Sequence, residues 1–190
     1  MFPDRGANSA FAPADARLDE AVPDWSSRGV IPHVHLSAYV LFDPGSRNGG
    51  LAALARARER GWTTSVDPQA ASLITRVGPA SFLQWVEGVD LLLPNESEVN
   101  ALGGLAVLLE RGHEVAVTYG AAGARWLGAG IDLRVDAPQI RCVDTTGAGD
   151  AFDGGLLARW VLDGDRLAAL TAGVATGSRA AAQVGARPCV

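Results

Sequence analysis

Apolar positions along this chain fall into short, separated runs, and their spacing alternates between strand-like and helix-like. The run at 30–42, with His33 and His35 among aliphatic residues, predicts a buried strand and its continuation. Across 51–60, alanine and leucine alternate with Arg56, Arg58, Glu59 and Arg60, the pattern of a short amphipathic helix ended by Gly61. Residues 62–66 favour a strand that stops at Asp67-Pro68. A helix over 79–86 precedes a strand over 89–93, which Pro94-Asn95 closes. Glu96 opens a helix that reaches about Leu102, and after Gly103-Gly104 the pattern resumes over 105–110. Beyond a buried strand at 115–118, the pieces 124–127 and 131–135 flank Gly128-Ala129-Gly130 and read as a hairpin. Two further helices are expected, one from about Ala151 to Val161 and one from Leu167 to about Ala182. The first 28 residues, broken by Pro3, Pro13 and Pro23, read as loop with a short helical turn. Strands and helices alternating at this spacing give an α/β domain with a mainly parallel sheet, spanning 1–190 as one unit. Ligands of such sheets bind at the carboxyl ends of the strands.

Composition narrows the chemistry. An apolar fraction of 48% and a charged fraction of 19% are those of a globular domain. A net charge of −5 argues against nucleic acid as a partner, because phosphate neutralisation needs a basic face. All 16 basic residues are arginine, which excludes a Schiff-base lysine and a P-loop lysine. Cys142 and Cys189 form neither a disulfide framework nor a zinc pattern. No apolar run reaches the roughly 18 residues that span a bilayer, and the N-terminus lacks an apolar signal core. A cytoplasmic protein without a membrane partner is the expectation. The Gly-x-Gly-x-x-Gly pattern of dinucleotide-binding dehydrogenases does not follow the first strand.

The chemistry concentrates in Asp144-Thr145-Thr146-Gly147-Ala148-Gly149-Asp150, between a β-prone piece and an apolar helix. Gly147 and Gly149 let the backbone turn tightly and let a ligand approach. The N–H groups of Gly147, Ala148 and Gly149 lie where a helix begins, unpartnered and at the positive end of its dipole, and can form an anion hole. Asp150 projects beside it, positioned to deprotonate an attacking hydroxyl. The same residues also read as an ordinary helix start, with Thr145 or Thr146 as cap.

Asn95 and Glu98, three apart at a helix start, have the spacing of a capping box. Thr118, Gly120 and Gly123 mark a strand-to-turn junction where a nucleotide could lie against the backbone. Ala172, Gly173, Ala175, Thr176 and Gly177 give the last helix a face of small residues, suited either to close packing or to a shallow wall for a base. Asp43-Pro44 and Asp67-Pro68 both read as turn starters. His33 and His35 share one strand face and read as packed histidines rather than metal ligands, while Arg56, Arg58 and Arg60 are expected to face solvent.

Residues 144–150, continued by Ala151, Phe152, Gly154 and Gly155, resemble the C-terminal signature of the PfkB/ribokinase family of sugar and nucleoside kinases. Asn95-Glu96-Ser97-Glu98 resembles that family's Asn-x-x-Glu motif, and Val117-Thr118-Tyr119-Gly120 with Gly123-Ala124 its nucleotide-bordering segment. Asp67-Pro68, Asp4-Arg5-Gly6-Ala7-Asn8 and Gly185-Ala186-Arg187-Pro188 match in the same order. The resemblance implies a ribokinase-like three-layer α/β/α sandwich. It further implies transfer of the ATP γ-phosphoryl to a sugar or nucleoside hydroxyl, with Asp150 as base and the backbone of Gly147, Ala148 and Gly149 holding the phosphate. Asn95 and Glu98 would organise Mg²⁺, while Thr118, Gly120 and Gly123 would border the nucleotide. A monovalent-cation requirement and a homo-oligomeric state stay open.

The resemblance covers the later two-thirds of such a domain. The opening strand with its substrate-binding Asp, the Gly-Gly-x-x-x-Asn segment and the β lid have no counterpart, since the Gly-Gly pairs at 49–50, 103–104 and 154–155 stand in other contexts. An uncovered sheet edge and self-association are therefore expected. A non-catalytic nucleotide-binding remnant or interaction module is the alternative reading.

Overall fold

Four strands, β1 (His33–Ser37), β2 (Thr63–Asp67), β3 (Leu91–Leu92) and β4 (Glu114–Thr118), pair in parallel in that order. The hairpin β5 (Ala124–Gly128) and β6 (Ile131–Val135) continues the sheet antiparallel to β4, giving six strands in sequence order. The computed structural model describes residues 32–185. The loop reading of the first 28 residues, the 4–8 segment, positions 186–188 and Cys189 lie outside the described residues.

Strand order that never reverses, combined with right-handed crossovers, places every connecting helix of the parallel part on one face. These are α1 (Tyr39–Phe42), α2 (Arg47–Glu59), α3 (Ala71–Val77), α4 (Pro79–Trp85), α5 (Glu96–Ala101) and α6 (Leu105–Glu110). On that side Val66, Leu92, Val115 and Val117 meet Leu41, Leu54, Ile74, Phe82 and Leu108 in one core. The opposite face, built from Leu91, Ala116, Ala124 and Trp126, is covered by Phe152, Leu156, Trp160 and Leu170 of α7 (Ala148–Asp163) and α8 (Arg166–Ala181). The result is a three-layer α/β/α sandwich with a mixed, mostly parallel sheet. At its lower edge the Arg166 guanidinium forks onto Glu114 at 2.6 Å on each side, and the Trp126 indole N–H donates to the same carboxylate at 2.7 Å. That cluster fixes the start of α8 to β4.

Three local readings change. Residues 39–42 do not prolong β1; the Ala38 N–H donates to the Asp67 carbonyl, and the chain then turns into α1 with Leu41 and Phe42 buried. An apolar run alone does not tell a strand from one buried helical turn. Helix α3 was not expected, because Ala-Ser-Leu-Ile-Thr-Arg-Val carries β-branched residues and little amphipathic period. Helix α7 starts at Ala148 rather than Ala151, which brings Gly149 and Asp150 into its first turn.

The two histidines pack as expected. The His33 ring nitrogens lie 2.8 Å from the Thr63 and Ser65 hydroxyls, its ring meets Trp160 edge-on at 5.4 Å, and burial pushes its pKa down to about 4. His35 bonds the same Ser65 hydroxyl. Of the arginine run, Arg58 and Arg60 are exposed but Arg56 is half-buried, and Arg60 lies over the Trp62 ring. No helix among the described residues is long and apolar enough to cross a membrane.

Candidate active site

The carboxyl ends of β2, β3 and β4 face the start of α7, and two adjoining cavities of about 590 and 200 Å³ open there. Thr118 and Gly149 line both. The geometry begins with Asp144. Its Oδ1 accepts the Thr146 N–H at 2.9 Å and its Oδ2 the Gly185 N–H at 3.0 Å, bonds that hold its carboxyl below the usual range. The Val143 and Asp144 N–H groups both donate to the Ala181 carbonyl, tying this loop to the end of α8.

Gly147 then takes φ +75°, the left-handed conformation that glycine adopts without steric cost, and becomes the cap residue of α7. Neither Thr145 nor Thr146 caps the helix through its side chain. The Ala148 N–H is committed to the Thr145 carbonyl at 3.1 Å, so Ala148 contributes shape rather than a free donor. Among the described residues, the N–H groups of Gly147, Gly149 and Asp150 have no hydrogen-bond partner. They sit at the positive end of a helix of 16 residues. The Asp150 carboxylate is exposed at this point and lines the smaller cavity.

The small-residue face of α8 does two things at once. A Cβ on Gly177 would stand 3.0 Å from the Ala148 carbonyl oxygen, so its absence lets α8 close on the first turn of α7. Gly177 also lines the larger cavity, together with Val174, Ser178 and Ala181.

Asn95 and Glu98 form the capping box that their spacing predicts. Asn95 Oδ1 accepts the Glu98 N–H at 3.0 Å, while Glu98 accepts the Asn95 backbone N–H at 2.9 Å and its side-chain amide at 2.7 Å. Glu98 is 2% exposed, and burial pushes its pKa up to about 7 against the pull of the Asn95 bonds. Both residues line the smaller cavity. Gly120 opens a single 3-10 turn, Gly123 closes it, and both line the larger cavity.

The two Asp-Pro steps separate. Asp43 is exposed near Ser46 at the start of α2, whereas Asp67 is buried at the end of β2 and lines the smaller cavity. Asp67 accepts the Gln69 N–H at 2.9 Å and also the Gln69 side-chain amide. Sequence reading missed Asp153. It lies three positions after Asp150 on α7, hence on the same helix face, and that spacing in an otherwise apolar stretch was the available signal. Asp153 is 6% exposed and hydrogen-bonded to Asp67. Burial, then the Asp67 carboxylate, pushes its pKa up to about 9, so Asp153 holds the shared proton.

This pair makes a pH prediction. In the unfolded chain Asp153 loses its proton near its ordinary value of 3.8, but the folded protein keeps it to about 9. The folded state therefore binds more protons across that window, and stability falls as pH rises through it. Asparagine reproduces the neutral donor. Asp153→Asn should raise Tm by several degrees at pH 8 in metal-free buffer and leave it unchanged near pH 4. A lower Tm at pH 8 would contradict the assignment.

The carboxylates of Asp67, Glu98 and Asp150 and the amide oxygen of Asn95 give the smaller cavity oxygen ligands of the kind that suits a hard divalent cation, with the protonated Asp153 beside Asp67. Among the described residues no three His, Cys, Asp or Glu side chains converge closely enough to hold a metal ion directly. The residues fit Mg²⁺ that keeps its waters.

Topology and the placement of these groups at the strand ends define a ribokinase-like α/β domain. The family profile described as pfkB family carbohydrate kinase matches residues 3–190, and the chain belongs to that family. An ATP-dependent ribose-1-phosphate kinase from Halopiger xanaduensis is 36% identical over 173 residues, covering 82% of this chain and 50% of the relative. Fructokinase from Vibrio cholerae O395, solved with fructose, ADP and calcium, superposes with a TM-score of 0.74 at 29% identity, over 81% of this chain and 56% of that one. Aminoimidazole riboside kinase from Salmonella enterica, solved with aminoimidazole riboside and an ATP analogue, gives a TM-score of 0.73 at 26% identity, over 81% of this chain and 57% of that one. The chain thus spans about half the length of the relatives it matches.

Proposed function

We propose that the chain carries the nucleotide-binding and catalytic-base elements of an ATP-dependent kinase acting on a sugar or nucleoside hydroxyl. The observation that carries this reading is the junction of the two cavities. Thr118 and Gly149 line both, and Asp150, beside the free N–H groups of the α7 start, lines the acidic one. The larger cavity takes the nucleoside part of ATP, bordered by Thr118, Gly120 and Gly123.

The Gly147, Gly149 and Asp150 N–H groups hold oxygens of the transferred phosphoryl, and they strengthen as negative charge gathers there. Asp150 orients the acceptor hydroxyl and takes its proton as the oxygen–phosphorus bond forms and the bond to the ADP oxygen breaks. Asn95 and Glu98, immobilised by their mutual bonds, would hold the cation through its waters. Bound Mg²⁺ supplies charge neutralisation at the phosphates. The buried Asp67–Asp153 pair forms the floor of the same cavity.

The test combines two readouts on this chain. MgADP should raise Tm by several degrees, since saturation at about a hundredfold over Kd contributes about 2.7 kcal/mol. ADP release from MgATP should rise with at least one member of a pentose, hexose and nucleoside panel. Absence of both effects would refute the reading.

A further inference from the structure

Resting on the proposed reading of the smaller cavity, we infer that Gln69 and Asp153 are positioning residues, acting through Asp67 to aim its carboxylate at the hydrated divalent cation. Asp67 is buried at the carboxyl end of β2 and lines that cavity. Three donors converge on it. Its Oδ1 accepts the Gln69 N–H at 2.9 Å, its Oδ2 accepts the Gln69 side-chain amide, and Asp153 bonds it from α7. Gln69 and Asp153 themselves line the same cavity. They reach Asp67 from two different elements, the loop after β2 and the helix that carries Asp150. The terminal torsion of an aspartate is broad, so its oxygens point where their partners hold them. Outer hydrogen bonds of this kind orient a metal-binding carboxylate, and losing one costs about 10–100-fold in metal affinity.

The backbone at Gln69 carries the argument further. It takes φ +68°, a left-handed conformation that among the described residues only one other non-glycine, Ala129, shares. Ala129 sits in the turn between β5 and β6, where tight hairpins demand that conformation. At position 69 a glycine would serve the backbone without steric cost, and its N–H would still close the turn onto Asp67. What glutamine adds is the side-chain amide on the second carboxylate oxygen. Strain kept beside a cavity therefore has a use, and that use is the orientation of Asp67. Asp153 supplies the second hold. Two hydrogen-bonded carboxyl groups need one proton between them, and the protonated partner is the donor. Asparagine at 153 keeps a donor there, whereas alanine removes it.

Affinity of the full chain for the fluorescent analogue mant-ADP, measured in EDTA and across a Mg²⁺ titration, tests the inference. The parent should bind more tightly as Mg²⁺ is added. Equal affinity throughout would remove the cation from the smaller cavity and overturn that part of the proposed function together with the inference. Gln69→Gly keeps the left-handed backbone and its N–H but loses the amide. It should melt near the parent and bind mant-ADP in EDTA as the parent does, yet need at least about tenfold more Mg²⁺ for half of the gain. Asp153→Ala should need a similar excess, and Asp153→Asn should restore the parent's requirement. A parent-like Mg²⁺ requirement in Gln69→Gly would overturn the inference and leave the nucleotide reading intact. So would a loss in Asp153→Asn as large as in Asp153→Ala. A role in the fold alone would weaken binding equally with and without Mg²⁺, and that result would also overturn the inference. If Asp153→Ala does not fold, Gln69→Gly and Asp153→Asn decide between these outcomes.

Discussion

Asp150→Asn is expected to reduce phosphoryl transfer by about a thousandfold, in the middle of the range that a positioned general base contributes, while leaving nucleotide affinity nearly unchanged. The separation follows from which atoms do what. In the proposed reading the donors at the phosphate are backbone N–H groups of Gly147, Gly149 and Asp150, and substitution of a side chain leaves them in place. Asparagine matches the size of the carboxylate but cannot take a proton from the acceptor. Asp150 also lies in the first turn of α7, where losing its charge forfeits about 0.3–1 kcal/mol of dipole interaction. Tm should therefore drop only slightly. The measurement is ADP release against the best acceptor, with mant-ADP affinity and a melting curve on the same sample. Turnover within a factor of a few of the parent would remove Asp150 from the mechanism.

Much of this site was legible in the sequence because its groups are local. Asn95 and Glu98 announce a capping box by spacing, and the structure builds that box bond for bond. Residues 144–150 announce a glycine turn into a helix, and Gly147 duly takes the left-handed conformation there. What spacing could not supply was the fate of individual donors. Ala148 belongs to the same motif, yet its N–H closes a turn onto Thr145. Nor could spacing distinguish Asp43-Pro44 from Asp67-Pro68, since burial at the end of β2 is a property of the sheet rather than of the dipeptide. Asp153 stayed hidden for a related reason. Its partner, Asp67, is 86 positions away and is brought to it only by packing of α7 across the strand ends. Helix α3 escaped because tertiary packing overrides the weak helical preference of its β-branched residues.

The glycines of the candidate site can be told apart by what a methyl group would meet. Gly123→Ala is expected to destabilise the fold by about 3–5 kcal/mol, combining left-handed backbone strain with overpacking. Gly123 has φ +90°, and a Cβ there would stand 2.1 Å from the Val135 carbonyl oxygen and 2.7 Å from the Ala137 nitrogen. Both obstacles are backbone, so no rotamer change relieves them. The residue is also held from two sides: its carbonyl accepts the Tyr119 N–H at 2.8 Å, and its N–H donates to Gly120. The only outlet is to push β5 away from the end of β6, where Ala124 pairs with Val135. At roughly 2–4 °C per kcal/mol for a domain of this size, Tm should fall by about 10 °C. Gly149→Ala is the contrasting case. Nothing lies within 4 Å of its added Cβ, and the position is helical, so stability should hold or rise by about 0.5–1 kcal/mol. Yet Gly149 lines both cavities, and a methyl group there would occupy the space assigned to the phosphates in the proposed function. Weak mant-ADP binding with an intact melting curve is the expected result for Gly149→Ala, measured below the melting range of both variants. If Gly149→Ala binds nucleotide as the parent does, the α7 start is only a capped helix, and the phosphate must lie elsewhere.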